Sequence, residues 1–253
     1  MKRQVLITIA AILLCSLDGS AQVAKLYTRK AKLADFGAKV TKVVLTSDTM
    51  VDAVLREEVS LRWSLSPFEF CSIKDYEALK DDSSHYFLHF TVKGDVIFLS
   101  LDKGGKEDDE DALKQGFEVV SIPVSGADTP TMDNLCYMSA FVDIIQEFTS
   151  EAMESDGKAY SGLAIYNINI LGGKTAVTDP AEARQCFEEG DADTLAGVVA
   201  VAADPTKDSW CYKMLISCDT HRLCYFKRHK VSADKAPGWL KSELRLIHGH
   251  SAE

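Results

Sequence analysis

The period of the apolar positions changes several times along the chain, and each change marks an element. Residues 40–46 alternate and are rich in β-branched side chains, which predicts a strand. Met50, Val51, Val54, Leu55 and Val59 then fall at helical spacing, a stripe that Ser47 or Asp48 can cap and that Ser66-Pro67 ends. Residues 68–71 predict a short strand, and Ser72 with Asp75 three residues on predicts a capping box opening a short helix. Two apolar strands, 86–92 and 96–101, flank the hairpin signal Lys93-Gly94-Asp95, and 117–123 is a further strand.

The longest helical pattern runs from Thr131 to about Met153. Its apolar face, from Met132 through Phe141 and Ile145 to Ala152, is wide enough to need more than one covering neighbour. Residues 160–170 fit either a strand or more helix, and Gly172-Gly173 a turn. Residues 174–177 predict a short strand. Asp179-Pro180-Ala181-Glu182 then places Asp at the N-cap, Pro at the first helical position and Glu at the third, for a helix ending near Gly190. Strands are predicted at 197–203, 211–217 and 223–231, with turns at 204–206 and 219–221, and a closing helix at 239–247.

These elements predict a single α/β or α+β domain over 39–247. Its sheet should be mixed and partly antiparallel, with flanking helices, because hairpins exclude a purely parallel doubly wound sheet. The order helix, strand, capped short helix, antiparallel ribbon occurs twice, which suggests pseudo-duplicated halves, 39–126 and 127–247. Residues 22–38 read as a basic lead-in, mobile or at an edge, and 248–253 as a polar tail that includes His248 and His250.

The N-terminus has the layout of an export signal. Lys2 and Arg3 precede an apolar run from Val5 to Cys15, and Gly19 and Ala21 suit a cut between Ala21 and Gln22. The expected address is therefore periplasmic or secreted, with no transmembrane helix once the signal is removed. Leu14 before Cys15 disfavours a lipid anchor. Composition adds exclusions. Of 253 residues, 28 are basic and 38 acidic, a formal charge of −10, which argues against non-specific nucleic-acid binding. Six cysteines follow the signal (Cys71, Cys136, Cys186, Cys211, Cys218 and Cys224), and no C-x-x-C suggests a redox or zinc site. In the ribbon after 211, a two-residue turn at Thr220-His221 would place Ser217 opposite Cys224 and leave Cys218 and Cys224 on opposite faces, so free thiols are expected.

Candidate chemistry is sparse. His85 and His89 sit four apart on a strand, about 13 Å along it, too far to share a metal. Glu107 to Asp111 are five acids in succession, but the calcium-loop pattern fails, with no glycine and no twelfth acid in place. Gly104-Gly105-Lys106 and Gly172-Gly173-Lys174 lack phosphate-loop spacing and read as turns. No nucleophile elbow occurs. The expected function is an exported envelope or extracellular protein that binds or assembles without catalysis and without a cofactor; the sequence names no partner, an envelope protein being one candidate. The alternative is an exported hydrolase with a carboxylate-based site, Asp102, Glu107, Asp108 and Asp109, working with or without a divalent ion.

Overall fold

The structure is a computed structural model describing residues 28–128, 132–167 and 170–249. The expected export signal, its expected cut at Ala21-Gln22, and Cys15 lie outside the described residues. From residue 28 onward the lead-in departs from expectation. Thr28 accepts the Ala31 amide and opens helix α1 (Arg29–Leu33), followed by a 3-10 turn (Phe36–Ala38). Leu33 and Phe36 are buried, and Phe36 meets the Tyr86 ring edge-on at 4.6 Å. The Tyr86 hydroxyl donates to Asp35 at 2.8 Å, and the buried Lys103 ammonium reaches Asp35 and the Lys32 carbonyl. Two apolar anchors and one carboxylate thus tie down a segment whose cations made it look solvated.

Strand β1 (Val40–Val44) leads to α2 (Thr49–Arg62), where Asp48 accepts the Met50 and Val51 amides as the pattern predicts. Strand β2 (Phe68–Cys71) and α3 (Ile73–Leu79) follow, the helix opened by the Ser72–Asp75 capping box. Strands β3 (His85–Lys93), β4 (Val96–Lys103) and β5 (Phe117–Gly126) complete a sheet of order β2-β1-β3-β4-β5. β1 runs parallel to both neighbours, and the rest is antiparallel.

The expected continuous helix is broken. Residues Met132–Leu135 form α4 and Met138–Glu154 form α5, with Cys136 and Tyr137 between them. The break turns Tyr137 onto Phe187, with ring centroids 4.8 Å apart. Residues 156–166 resolve as helical: α6 (Asp156–Ser161), then a 3-10 turn (Gly162–Tyr166). A second sheet, β6-β7-β8-β9, comes from β6 (Thr175–Val177), β7 (Thr194–Ala200), β8 (Trp210–Ser217) and β9 (Leu223–Lys230). Helix α7 (Pro180–Glu189) uses the Asp179 cap and stops at left-handed Gly190. Helix α8 (Lys241–Ile247) closes the described chain.

The fold is thus a single compact α/β domain whose mixed pairing is shared between two sheets. One apolar core unites them: Val43, Leu99 and Ile122 of the first and Ala196, Met214 and Ile216 of the second belong to one cluster with α5. Helix α5 is buried on most of its circumference, including Phe141, Ile144, Ile145 and Phe148, as its wide apolar face requires. Two of its buried polar side chains are bonded: Thr149 Oγ1 donates to the Ile145 carbonyl, and Gln146 accepts the Ser64 amide and donates to the Arg62 carbonyl. Beside Gln146, Asp143 accepts from Arg62 at 2.9 Å and lies 2.7 Å from His221 Nδ1, in the β8–β9 turn. Because three separate elements meet at one half-buried carboxylate, Asp143→Ala is expected to cost about 1–2 kcal/mol. Urea unfolding checks this, and an unchanged midpoint would show the network contributes nothing.

Candidate functional site

Strands β5 and β9 are edge strands of their respective sheets, and both line one groove of about 920 Å³. Its floor is aromatic. Phe98 meets Tyr212 edge-on at 5.2 Å, and Phe226 lies 6.4 Å beyond Tyr212. Its rim carries four cations, Arg29, Lys93, Lys227 and Arg228, against one carboxylate, Glu118. Lys93 bonds Glu118 and Ser121, which uses up the single acid. Arg228 lies over the Trp210 ring at 4.7 Å, and Arg29 over Tyr160 at 5.2 Å. Tyr160 is 62 % exposed and Leu246 54 %, so the wall includes large apolar side chains in water. In a chain of charge −10, a cationic groove with aromatic faces is a local reversal of sign that can hold anionic groups beside apolar ones.

Asn167, at the foot of the 3-10 turn, also lines the groove. Its carboxamide accepts the Phe226 amide at 2.7 Å and donates to the Phe226 carbonyl at 2.8 Å. One side chain thus occupies the place of a peptide unit in a neighbouring strand.

The carboxylates anticipated around a metal are not brought together. Asp102 lies on β4 and meets His89 Nε2 at 2.7 Å, with Tyr76 4.9 Å from the imidazole. Ser100 faces His89 across the ladder, but it is fully buried and its hydroxyl pairs with Thr91 at 2.7 Å, so the three do not form a nucleophile relay. Glu107, Asp108 and Asp109 lie in the loop before β5. There Asp109 accepts the Asp111 amide and Asp111 the Leu113 amide, so these two acids shape their own turns. Among the described residues no three His, Cys, Asp or Glu side chains are grouped as a metal site needs.

No family model, curated protein or solved structure matches this chain. The site therefore has to be read from its own chemistry.

None of the six cysteines is disulfide-bonded. Burial raises the pKa of Cys71, Cys186, Cys211 and Cys224 and pushes Cys218 up to about 11, so these thiols stay protonated at neutral pH and are poor nucleophiles. The ribbon register differs from expectation. Ile216 pairs with Leu223 and Leu215 with Tyr225, so Cys224 is the extra residue of a bulge, and Ser217 bonds Arg222 rather than facing Cys224.

A second titratable cluster lies on the far face of the second sheet. The Lys213 ammonium, fully buried, donates to both Glu243 oxygens at 2.7 and 2.8 Å and to His229 Nδ1 at 2.6 Å. His229 Nε2 then donates to the Ala236 carbonyl at 2.9 Å, which fixes the neutral tautomer. Burial, seconded by the Lys213 charge, lowers the His229 pKa. Burial works to raise that of Glu243, but the bonds from Lys213 and the Leu240 amide outweigh it and hold it low. Both shifts act in one direction. Above the unfolded pKa, about 6.5 for His and about 4.3 for Glu, the stabilisation is complete; it is lost as pH falls through each folded value. Unfolding free energy should therefore fall from about pH 6.5 downward. His229→Gln should flatten the upper part of that slope, and an unchanged slope would refute the assignment. The members of this cluster bond one another and are all buried, Lys213 completely.

Proposed function

We propose that the chain is an exported, non-enzymatic binding protein that holds an acidic, extended partner in the groove between β5 and β9. The observation that carries the reading is the sign reversal: three cations with no ion-paired carboxylate among the described residues, Arg29, Lys227 and Arg228, beside the exposed Tyr160 in one concave place on an acidic protein. Partners of envelope or extracellular origin fit the signal-like N-terminus. Among the described residues no helix is long and apolar enough to cross a membrane. The hydrolase reading has less to rest on, since Asp102 is bonded to His89 and among the described residues belongs to no metal-type cluster.

The test uses poly-L-glutamate as the probe, with titration calorimetry of the full chain and of a Lys227→Glu/Arg228→Glu double variant. Wild type should bind, more weakly as salt rises, and the double variant should lose about tenfold or more in affinity. Equal binding by both proteins, or none by wild type at low salt, would overturn the groove. Mass spectrometry of the exported protein checks the address: an N-terminus at Gln22 is expected, and a retained Met1 would refute export.

A further inference from the structure

We infer that the groove takes its partner by strand addition, an acidic peptide segment pairing with the open edge of β9 beyond Asn167. This rests on the binding reading above and specifies its mode. In an antiparallel pair, successive residues turn their N–H and C=O alternately toward and away from the neighbour. Both Phe226 groups are bonded by Asn167, on the side away from β8, which fixes the phase of the edge. Arg228 and Lys230 therefore turn their amide and carbonyl the same way. They pair with Tyr212 and Trp210 on β8, and among the described residues no strand pairs along their outer side.

Asn167 also shows what the edge accepts, since its amide reproduces the donor–acceptor pair of a strand residue. A peptide continuing from it would use the next two such pairs. The side chains on this stretch select its charge. Arg228 and Lys230 point to one face over Trp210, at 4.7 and 5.7 Å from the ring, and Lys227 to the other. An added strand with carboxylates on both faces would meet cations on each, and its apolar residues would meet Trp210. Cations on an open edge repel the basic edge of a second copy and suppress self-pairing, while leaving the backbone available to an acidic strand.

The test probe is a synthetic peptide of about ten residues with a repeating Glu-Glu-Val-Val pattern, which puts carboxylates and apolar side chains on both faces of an added strand. Amide exchange of the full protein is followed by NMR with and without it. The Arg228 and Lys230 amides should slow on addition, while that of Phe226, already bonded to Asn167, should change little. Two N-methylated forms of the peptide, blocking alternate amides in opposite phases, should separate: one loses about tenfold or more in affinity and the other keeps it. If the peptide binds but both methylated forms bind alike, or the two amides stay unprotected, strand addition is wrong while anion binding in the groove stands. If poly-L-glutamate binds and the peptide does not, strand addition is again refuted. If neither binds, the groove reading itself fails. Concentration-dependent self-association that protects the same amides without peptide would assign the edge to a second copy and overturn the acidic-partner assignment.

Discussion

Lys213→Met is expected to lower the unfolding free energy by about 3–5 kcal/mol, the cost of leaving one member of a buried ion pair alone. Lys213 is fully buried and Glu243 nearly so, and the ammonium spends its protons on Glu243 and His229. Removing it leaves a carboxylate under the C-terminal segment with only the Leu240 amide and the Tyr225 hydroxyl as donors. Glu243→Leu alone strands the ammonium in the same way. The double variant Lys213→Met/Glu243→Leu should recover much of either loss, because apolar groups of similar volume replace a buried pair at little net cost. The effects are thus strongly non-additive, and urea unfolding of the four proteins measures the coupling. A single variant within about 0.5 kcal/mol of wild type would show that water reaches the cluster. Hydrogen exchange over 236–247 gives the local readout, since Glu243 and Ala236 hold that segment to β8 and β9.

The local elements are legible because their causes are local. The Asp48, Ser72 and Asp179 caps each lie within three residues of the amides they satisfy, and all form as read. The wide apolar face over 138–152 correctly implies cover on several sides. Failures occur where a distant partner decides. The helix pattern continues through Cys136 and Tyr137, and the Tyr137 ring packs on Phe187, some fifty residues on, a partner that local periodicity does not reveal. The ribbon register fails because a bulge at Cys224 cannot be counted from turn length. The division into two sheets rests on which edges remain unpaired, and apolar periodicity carries no information about that.

The site is less legible for the same reason. The acid run over 107–111 stands out in sequence, yet Asp109 and Asp111 serve their own turns, and among the described residues the run forms no metal-type cluster with Asp102. The groove draws on α1, β3, β4, β5, α6 and the β8–β9 ribbon, so no single segment displays it. One signal does exist. Lys227-Arg228-His229-Lys230 is a basic run inside a strand of an acidic chain, and Trp210 pairs with its end. A strand interior with that charge must have an edge or a groove to put it in. Asn167 could not be found from sequence, since nothing distinguishes an asparagine that mimics a peptide unit from one in an ordinary turn.

The two Gly-Gly-Lys sequences look alike in sequence and should behave differently on substitution. Gly105→Ala is expected to cost about 2–4 kcal/mol, combining a forbidden backbone angle with a backbone clash. Its φ is +123°, and an added Cβ would lie 2.0 Å from the Lys114 carbonyl oxygen. Gly116 faces it just as closely, its own Cβ position lying 2.1 Å from the Gly105 oxygen, so the two ends of the acidic loop cross backbone to backbone. Neither chain can yield, because the Gly105 amide bonds the Lys80 carbonyl and the Gly116 amide the Lys106 carbonyl. Gly172, by contrast, has φ +57° and nothing within 4 Å of an added Cβ. Gly172→Ala should cost only about 1 kcal/mol, the strain of a left-handed alanine. Urea unfolding of both variants gives the comparison, and limited proteolysis reports whether the 106–115 loop has been released in Gly105→Ala. Equal losses would mean that the crossing imposes no constraint beyond the turn, and that the acidic loop is held in place by something other than its two glycine ends.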